Sequence, residues 1–286
     1  SFSQNQGVID SLENKLKNHY VKKMELQIKY SPLYDTTAAN ILNRLCKAYR
    51  GSDPEKAMDF ADQALALSEK IGYKKGVCNA YQSMGNINNK RGNYLASLDL
   101  YKKALQIRLE LGNKKDIAGS YNDIGITYYD QGNYPEALKN YLAALKIKEE
   151  VGDKEGIANS YGNIGNIYAE QGNYPEALKN YFTALKKYKE MGIKEGVANT
   201  YLNIGATYAD QGNYQEALKN QFAALKLQKE IGDKTGIAES YFYIGGSYSK
   251  QGSYDEALKN LFAALKIQEE IGDKKSIAFS FVGIGD

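Results

Sequence analysis

The sequence predicts an all-α fold in which helix-turn-helix repeats stack into a solenoid. One observation is the motif GNYPEALKN at residues 132–140, which returns with small changes at 172–180, 212–220 and 252–260, and in a weaker form at 92–94. A period of this size is typical of arrays built from one supersecondary unit. Between the copies, apolar residues recur at i, i+3, i+4 and i+7, which indicates helices. Because each repeat of a solenoid packs only on its neighbours, all 286 residues are predicted to form a single domain.

Residues 1–37 are predicted to be an N-terminal capping region. Within them, apolar positions at loosely helical spacing predict one helix from about residue 7 to residue 29. Such a helix would cover the first repeat, as the end of a solenoid requires. These positions are Val8, Leu12, Leu16, Met24 and Ile28.

The array itself is predicted to span residues 38–286. A degenerate repeat occupies 38–77, with Leu45 and Pro54 at positions that hold Gly and Tyr in the other copies. Clear repeats begin near residues 78, 118, 158, 198 and 238, and a truncated seventh begins at about 278.

Each repeat is predicted to contain two helices, here named helix A and helix B. In the copy with the clearest helix-start and helix-end signals, helix A runs from about 154 to 170 and helix B from about 174 to 190. Gly152 suits a left-handed cap before helix A. Asn173, with Glu176 three residues later, resembles a capping box at the start of helix B.

The core of each repeat is predicted from the helical wheel, at about 100° per residue. Tyrosines and small residues alternate on it, so packing explains the tyrosines better than ligand stacking does. The core positions of helix A are Ile157, Tyr161, Ile164, Gly165 and Tyr168, and those of helix B are Tyr174, Ala177, Leu178, Tyr181, Ala184 and Leu185.

This pattern resembles the tetratricopeptide repeat. The residues that carry the resemblance are Tyr161, Ile164-Gly165, Tyr168, Gly172-Asn173-Tyr174, Ala177 and Ala184-Leu185. The 40-residue step is similar to that of Pins-type polarity scaffolds and of bacterial sensor kinases, cyclases and regulators. The resemblance implies a right-handed α-solenoid that binds a protein or peptide in a concave groove lined by helix A. It also implies that the chain is the sensory or regulatory part of a larger signalling protein.

A peptide groove is therefore expected on the face of helix A opposite its core stripe. Asn recurs there although it is a poor helix former, which favours function over a merely tolerated polar surface. An Asn side chain can pair with both the C=O and the N–H of an extended peptide. The polar groove residues are Asn79, Asn86, Asp123, Asp130, Asn159, Asn163, Asn166, Glu170, Asn199, Asn203 and Asp210.

The predicted groove is not uniform in charge. Asp130, Glu170 and Asp210 form an acidic row bounded by Lys90 and Lys250. This row predicts a ligand with a basic residue or a free amine.

Towards the C-terminus the same or adjacent faces become apolar, at Leu202, Phe242, Tyr243 and Phe279. These side chains either form a pocket for an anchor side chain of the ligand or pack on the part of the array that follows the truncated repeat. The sequence leaves both alternatives open.

Several classes of function are excluded or disfavoured. The net charge is only +3 and lysines alternate with glutamates, so no basic surface for nucleic acid is expected. The sequence contains no run of 18 apolar residues, so no membrane-spanning helix is expected. His19 is the only histidine, the two cysteines, Cys46 and Cys78, are far apart in the sequence, and there is no phosphate-binding loop. We therefore predict no metal site, no cofactor and no enzyme activity.

The chain starts at Ser1 without Met and stops partway through a repeat, so we expect it to be a piece of a longer protein. Its polar start fits the removal of a secretory signal, which slightly favours an exported or periplasmic location over a cytoplasmic one, although an arbitrary boundary would look the same. An alternative function is structural. In that case residues 277–285 would meet the first repeat of another copy, and end-to-end self-association would extend the superhelix.

Overall fold

In the computed structural model, which describes residues 2–25 and 32–285, every regular element is a helix. The chain divides into two compact units, Ser1–Ile147 and Lys148–Asp286, and each is described by itself. The all-α solenoid class predicted from the repeats is confirmed by this succession of helix pairs. The single-domain organisation and the repeat boundaries stay predictions.

The helices of the first unit are α1 (Phe2–Glu25), α2 (Pro32–Tyr49), α3 (Pro54–Lys70), α4 (Lys74–Lys90), α5 (Tyr94–Leu111) and α6 (Lys114–Asp130). Helix α7 (Tyr134–Glu150) begins in the first unit and ends in the second. The second unit continues with α8 (Lys154–Glu170), α9 (Tyr174–Met191), α10 (Lys194–Asp210), α11 (Tyr214–Ile231), α12 (Lys234–Gln251), α13 (Tyr254–Ile271) and α14 (Lys274–Gly285). After α1, the even-numbered helices are helix A of each repeat and the odd-numbered ones are helix B.

The helix boundaries follow the punctuation of the sequence. Helix α8 has the bounds predicted for helix A, and α9 ends one residue later than predicted for helix B. From Gly72 to Gly272, a glycine with a positive φ of 67° to 85° recurs every 20 residues, at each turn between helices. A side chain at such a left-handed position is strained, which explains why glycine punctuates every helix end.

Side chains cap several helix starts. Asp153 Oδ1 accepts a hydrogen bond from the Gly156 backbone N–H at 3.0 Å, at the start of α8. Asn173 Oδ1 accepts from the Glu176 N–H at 3.5 Å. The Glu176 carboxylate does not complete a reciprocal capping box; it pairs with Lys179 at 3.2 Å.

The predicted core is observed in the second unit. Ala177, Ala184 and Tyr181 of α9 are buried together with Ile204 of α10. Tyr181 lies directly against Gly165, where a Cβ would come within 2.6 Å of the ring. Thus a small residue on helix A makes room for a tyrosine of helix B. Ile167, which the wheel left out of the core, is fully buried as well.

Helix α1 packs on α2, with Leu12 against Ile41 and Leu45. Its register differs from the prediction, because Ile9 is buried whereas Val8 and Met24 are exposed. The loosely helical spacing did not distinguish these neighbouring positions. Ile28, also predicted on this face, lies outside the described residues.

Candidate functional site: the helix A face of the repeats

The predicted groove residues lie on the helix A face with graded exposure. In the second unit, Asn159, Glu170, Asn199 and Asp210 are exposed, and Asn163, Asn166 and Asn203 are half-buried. In the first unit, Asp130 is exposed, and Asn79, Asn86 and Asp123 are half-buried. This face is named the amide face below.

The asparagines of the amide face have a structural task that the sequence did not indicate. The Tyr181 hydroxyl donates to Asn166 Oδ1 at 2.7 Å, and in the first unit the Tyr101 hydroxyl donates to Asn86 Oδ1 at 2.8 Å. A buried hydroxyl without a partner would be costly, so these bonds account for part of the recurrence of Asn. Burial also raises the pKa of Tyr101, which keeps its hydroxyl protonated as a donor.

Two further contacts extend this arrangement. The Tyr188 hydroxyl donates to Asn159 Oδ1. Asn203 Nδ2 donates to Asn166 Oδ1 at 3.4 Å, which joins the amides of adjacent repeats on α8 and α10. The side-chain oxygens of Asn86, Asn159 and Asn166 are therefore occupied within the protein.

The acidic residues also have partners. Asp210 pairs with Lys250 at 2.6 Å, Asp130 accepts from Asn89 at 2.7 Å, and Asp123 accepts from Gln82 at 2.6 Å. A basic ligand would have to displace Lys250 from Asp210. The predicted preference for a basic ligand consequently loses support at this position.

The apolar residues divide between the core and the surface. Leu202 is only 3% exposed, so it belongs to the core and offers almost no surface to a ligand. Tyr243 is 39% exposed, and its ring meets the edge of the Phe242 ring with centroids 6.1 Å apart. Both rings line a cavity, and the role of this cavity as a pocket for an anchor side chain stays a prediction.

This cavity, of about 240 Å³, lies between α10, α11 and α12 and is named the Gln221 cavity. Phe242 and Tyr243 form its walls, and the Asp210–Lys250 ion pair lies at it. Gln221 is fully buried and lines the cavity from α11.

The origin of the cavity can be traced to two replacements in the repeat. Gln221 stands where the earlier repeats have Tyr101, Tyr141 and Tyr181. Ala206 stands where Asn166 accepts the tyrosine hydroxyl in the preceding repeat. Two large groups are thus replaced by smaller ones. Sequence reasoning missed Gln221, although a break in the 40-residue pattern was the signal for it.

A larger cavity, of about 440 Å³, lies between α9, α10 and α11. Four of its polar side chains are already paired, since Lys194 binds Glu230 at 2.9 Å and Lys189 donates to Tyr201 at 2.7 Å. It therefore has less chemistry to offer a ligand than the Gln221 cavity.

Other chemistry is sparse over residues 2–25 and 32–285. No group of three or more His, Cys, Asp or Glu residues that could hold a metal ion is found there. Cys46 and Cys78 are buried, and burial raises the pKa of both thiols, so they are poor nucleophiles. Within the same ranges, no helix has the length and apolar character needed to span a bilayer.

Comparison with known families decides the classification. Residues 76–150, 116–190 and 196–270 match the sequence model of the tetratricopeptide repeat, and these segments cover more than half of the chain. The chain belongs to the tetratricopeptide repeat family. Tetratricopeptide repeats commonly bind proteins and act as non-catalytic scaffolds; that this tetratricopeptide repeat protein is not an enzyme stays a prediction. Curated protein sequences gave no significant match.

Solved structures share its fold. A STAND signal-transduction ATPase with a tetratricopeptide repeat sensor, from Pyrococcus horikoshii, matches 98% of this chain with a TM-score of 0.73 at 18% identity, and the match covers 42% of that protein. The apo form of RapI matches 92% of this chain and 93% of its own, with a TM-score of 0.69 at 17% identity. A Rap protein complexed with Competence and Sporulation Factor matches 91% of this chain and 76% of its own, with a TM-score of 0.64 at 15% identity. At such identities these matches establish the fold alone.

Proposed function

We propose that this tetratricopeptide repeat protein binds an extended peptide or protein segment along the amide face. The observation that carries the proposal is the use of the asparagine side chains. In the second unit, Asn159 and Asn166 form their hydrogen bonds through Oδ1 within the described residues, so their Nδ2 donors remain for a ligand. Asn203 uses one of its two Nδ2 N–H groups and Asn199 is exposed, so these amides also retain donors for a ligand.

The chemistry of these donors defines the ligand. A row of N–H donors suits the main-chain carbonyls of an extended peptide, which project at regular intervals in every sequence. Each hydrogen bond would contribute about 0.5 to 1.5 kcal/mol, so several are needed for a useful affinity. Recognition through the main chain alone tolerates many sequences.

We further propose that the chain is the sensory or regulatory part of a signalling protein. The fold is similar to that of a STAND protein's tetratricopeptide repeat sensor and of a Rap protein complexed with Competence and Sporulation Factor. These likenesses support the proposal by analogy, because one fold can serve many partners.

Peptide binding can be tested with a random peptide library and one pair of substitutions. Asn199 is exposed, and the side chain of Asn203 donates one hydrogen bond, to Asn166, so replacing both with Ala changes the face with little effect on the core. Losing two hydrogen bonds to the ligand should weaken binding of the selected peptides by about 5- to 150-fold.

The matched control is Asn180→Ala with Asn260→Ala. Both side chains lie on helix B and donate to a backbone carbonyl four residues earlier, at 2.8 Å and 2.7 Å. This control should bind peptides as the parent does. The proposal fails if no peptide is enriched, or if the Asn199 and Asn203 variant binds as tightly as the control.

A second candidate function is end-to-end self-association. One observation favours it: α14 exposes Phe279, Phe281 and Val282, each more than half accessible. Exposed apolar side chains of this kind are suited to contact with another protein surface, including a second copy.

A further inference from the structure

The side chain of Gln221 is buried without a partner. It is 0% exposed, and neither its Oε1 nor its Nε2 forms a hydrogen bond within the described chain. The Ser247 hydroxyl, 2% exposed, also lacks a partner there, and both residues line the same cavity. Unpaired buried polar groups are rare because they cost stability, so each one requires a physical explanation.

The neighbouring repeats do not carry this cost. At the equivalent position, Tyr181 donates to Asn166 in the preceding repeat, and Leu261, which has no polar atom, packs on Gly245 in the following one. Gln221 packs on Gly205 in the same way but brings an amide into that space. The polar group is therefore not needed for the fold at this position.

The cavity is large enough for a side chain. Its volume of about 240 Å³ is several times the roughly 30 Å³ that one water molecule occupies in the liquid. Phe242 and Tyr243 supply apolar walls for the methylene groups of an entering side chain.

From these observations we infer that the Gln221 cavity binds a side-chain carboxamide, that of Gln or Asn, from the peptide ligand. The inference rests on the proposed peptide binding and adds a sequence preference to it. A carboxamide offers a donor and an acceptor side by side, so it can pair with both Nε2 and Oε1 of Gln221 once that buried side chain turns into the cavity. A remaining N–H or carbonyl lone pair is left for the Ser247 hydroxyl, which lines the same cavity.

Other side chains satisfy this cavity less well. A carboxylate has no donor for Oε1 of Gln221. An ammonium or guanidinium group has no acceptor for Nε2 of Gln221. An apolar side chain leaves both polar atoms of Gln221 unpaired. A carboxamide can also turn to match either orientation of the Gln221 amide.

The inference can be tested by NMR with three small probes: N-acetylglutamine methylamide, N-acetylglutamate methylamide and N-acetylmethionine methylamide. The Gln221 side-chain NH₂ signal of the ¹⁵N-labelled chain reports binding directly, and its loss in Gln221→Leu assigns it. We expect a saturable shift with the glutamine probe, and binding at least about tenfold weaker with the other two, because each leaves a buried partner unpaired.

Two variants serve as controls. Gln221→Tyr introduces the residue that three other repeats have at the equivalent position, and it fills the cavity. Gln221→Leu introduces the residue found at the equivalent position of the following repeat, Leu261. Both should abolish the preference for the glutamine probe while circular dichroism confirms that the helices persist. Equal binding of all three probes, no shift with any probe, or an unchanged preference in the folded variants would overturn the inference.

The peptide library separates this inference from the proposed function. If selected peptides are not enriched in Gln or Asn and bind Gln221→Tyr as tightly as the parent, the amide face binds peptides but the cavity inference is wrong. If the glutamine probe binds while the library yields no ligand, the cavity inference stands and the proposed groove fails.

Discussion

Gly165 shows how one missing side chain sets the spacing of two helices. A Cβ at this position would lie 2.6 Å from the Tyr181 ring, which is too close for a real contact. Gly162, one turn earlier on the same helix, has no neighbouring atom within 4 Å of a Cβ. The two glycines therefore serve different purposes, although the sequence presents them alike.

We expect Gly165→Ala to lower the free energy of unfolding by about 1 to 3 kcal/mol, because the added methyl group forces the tyrosine to shift. Gly162→Ala should raise it by up to about 1 kcal/mol, because alanine is the better helix former. Urea denaturation of the two variants measures both effects. Equal effects would show that the close contact with Tyr181 does not limit the approach of α8 and α9.

Gln221→Leu should increase the free energy of unfolding by about 1 to 3 kcal/mol, because it removes two unpaired polar atoms from a buried site. The mirror substitution, Leu261→Gln, places an amide at the equivalent position of the next repeat and should destabilise by a similar amount. Urea denaturation is again the measurement. If Gln221→Leu destabilises the chain, the Gln221 amide is not an unpaired group in the folded protein.

At several junctions between repeats, a buried polar contact joins helix B of one repeat to helix A of the next. Arg108 donates to Ser120 at 2.6 Å, Lys148 donates to Ser160 at 2.9 Å, and Ser280 donates to Gln268 at 2.7 Å. The partners are always 12 residues apart, whereas the longer side chain varies. The serine hydroxyl accommodates these different side chains because it can donate or accept.

The contact of α1 with the first repeat includes a polar group that responds to pH. The Tyr49 hydroxyl donates to Glu13 at 2.6 Å and Lys56 pairs with it at 3.0 Å. These two contacts, the hydroxyl first, lower the pKa of the Glu13 carboxyl below 4.5. The stabilisation is therefore fully present above about pH 4.5 and is lost as the pH falls through the lowered value of the folded state.

Glu13→Gln should thus destabilise the chain at neutral pH, by no more than about 1 kcal/mol because both charged side chains are partly exposed. The difference from the parent should shrink at pH values below the lowered pKa. Urea midpoints of both proteins at neutral and acidic pH test this. A difference that stays constant would mean that the carboxylate charge contributes nothing to the docking of α1.

For the whole molecule, the two candidate functions predict a different dependence of the particle mass on protein concentration. A peptide-binding module needs no second copy, so we expect sedimentation to give one mass over a wide concentration range. Growth of the mass that is abolished by Phe281→Glu would instead support end-to-end association through α14. Phe222→Glu, at another exposed aromatic position, is the control for a general effect of added charge.

The repeat pattern was sufficient to predict the family, the turns, and the bounds of α8 and α9 to within one residue. The bounds of α8 and the glycine at each turn follow from interactions between residues a few positions apart, which the sequence states directly. It also determined which face of helix A is polar, because the helical wheel depends only on spacing.

The burial of each residue and its contacts followed from the packing of the helices and could not be predicted from the repeat pattern. Leu202 and Ile9 are buried because of the helices packed against them, and the oxygen of Asn166 is occupied by a hydroxyl from another helix. Gln221 became a candidate site only when its amide was found buried without a partner. The physical reason is that helical periodicity fixes a direction around one helix axis, whereas burial and hydrogen bonding depend on the side chains that neighbouring helices bring to the same place.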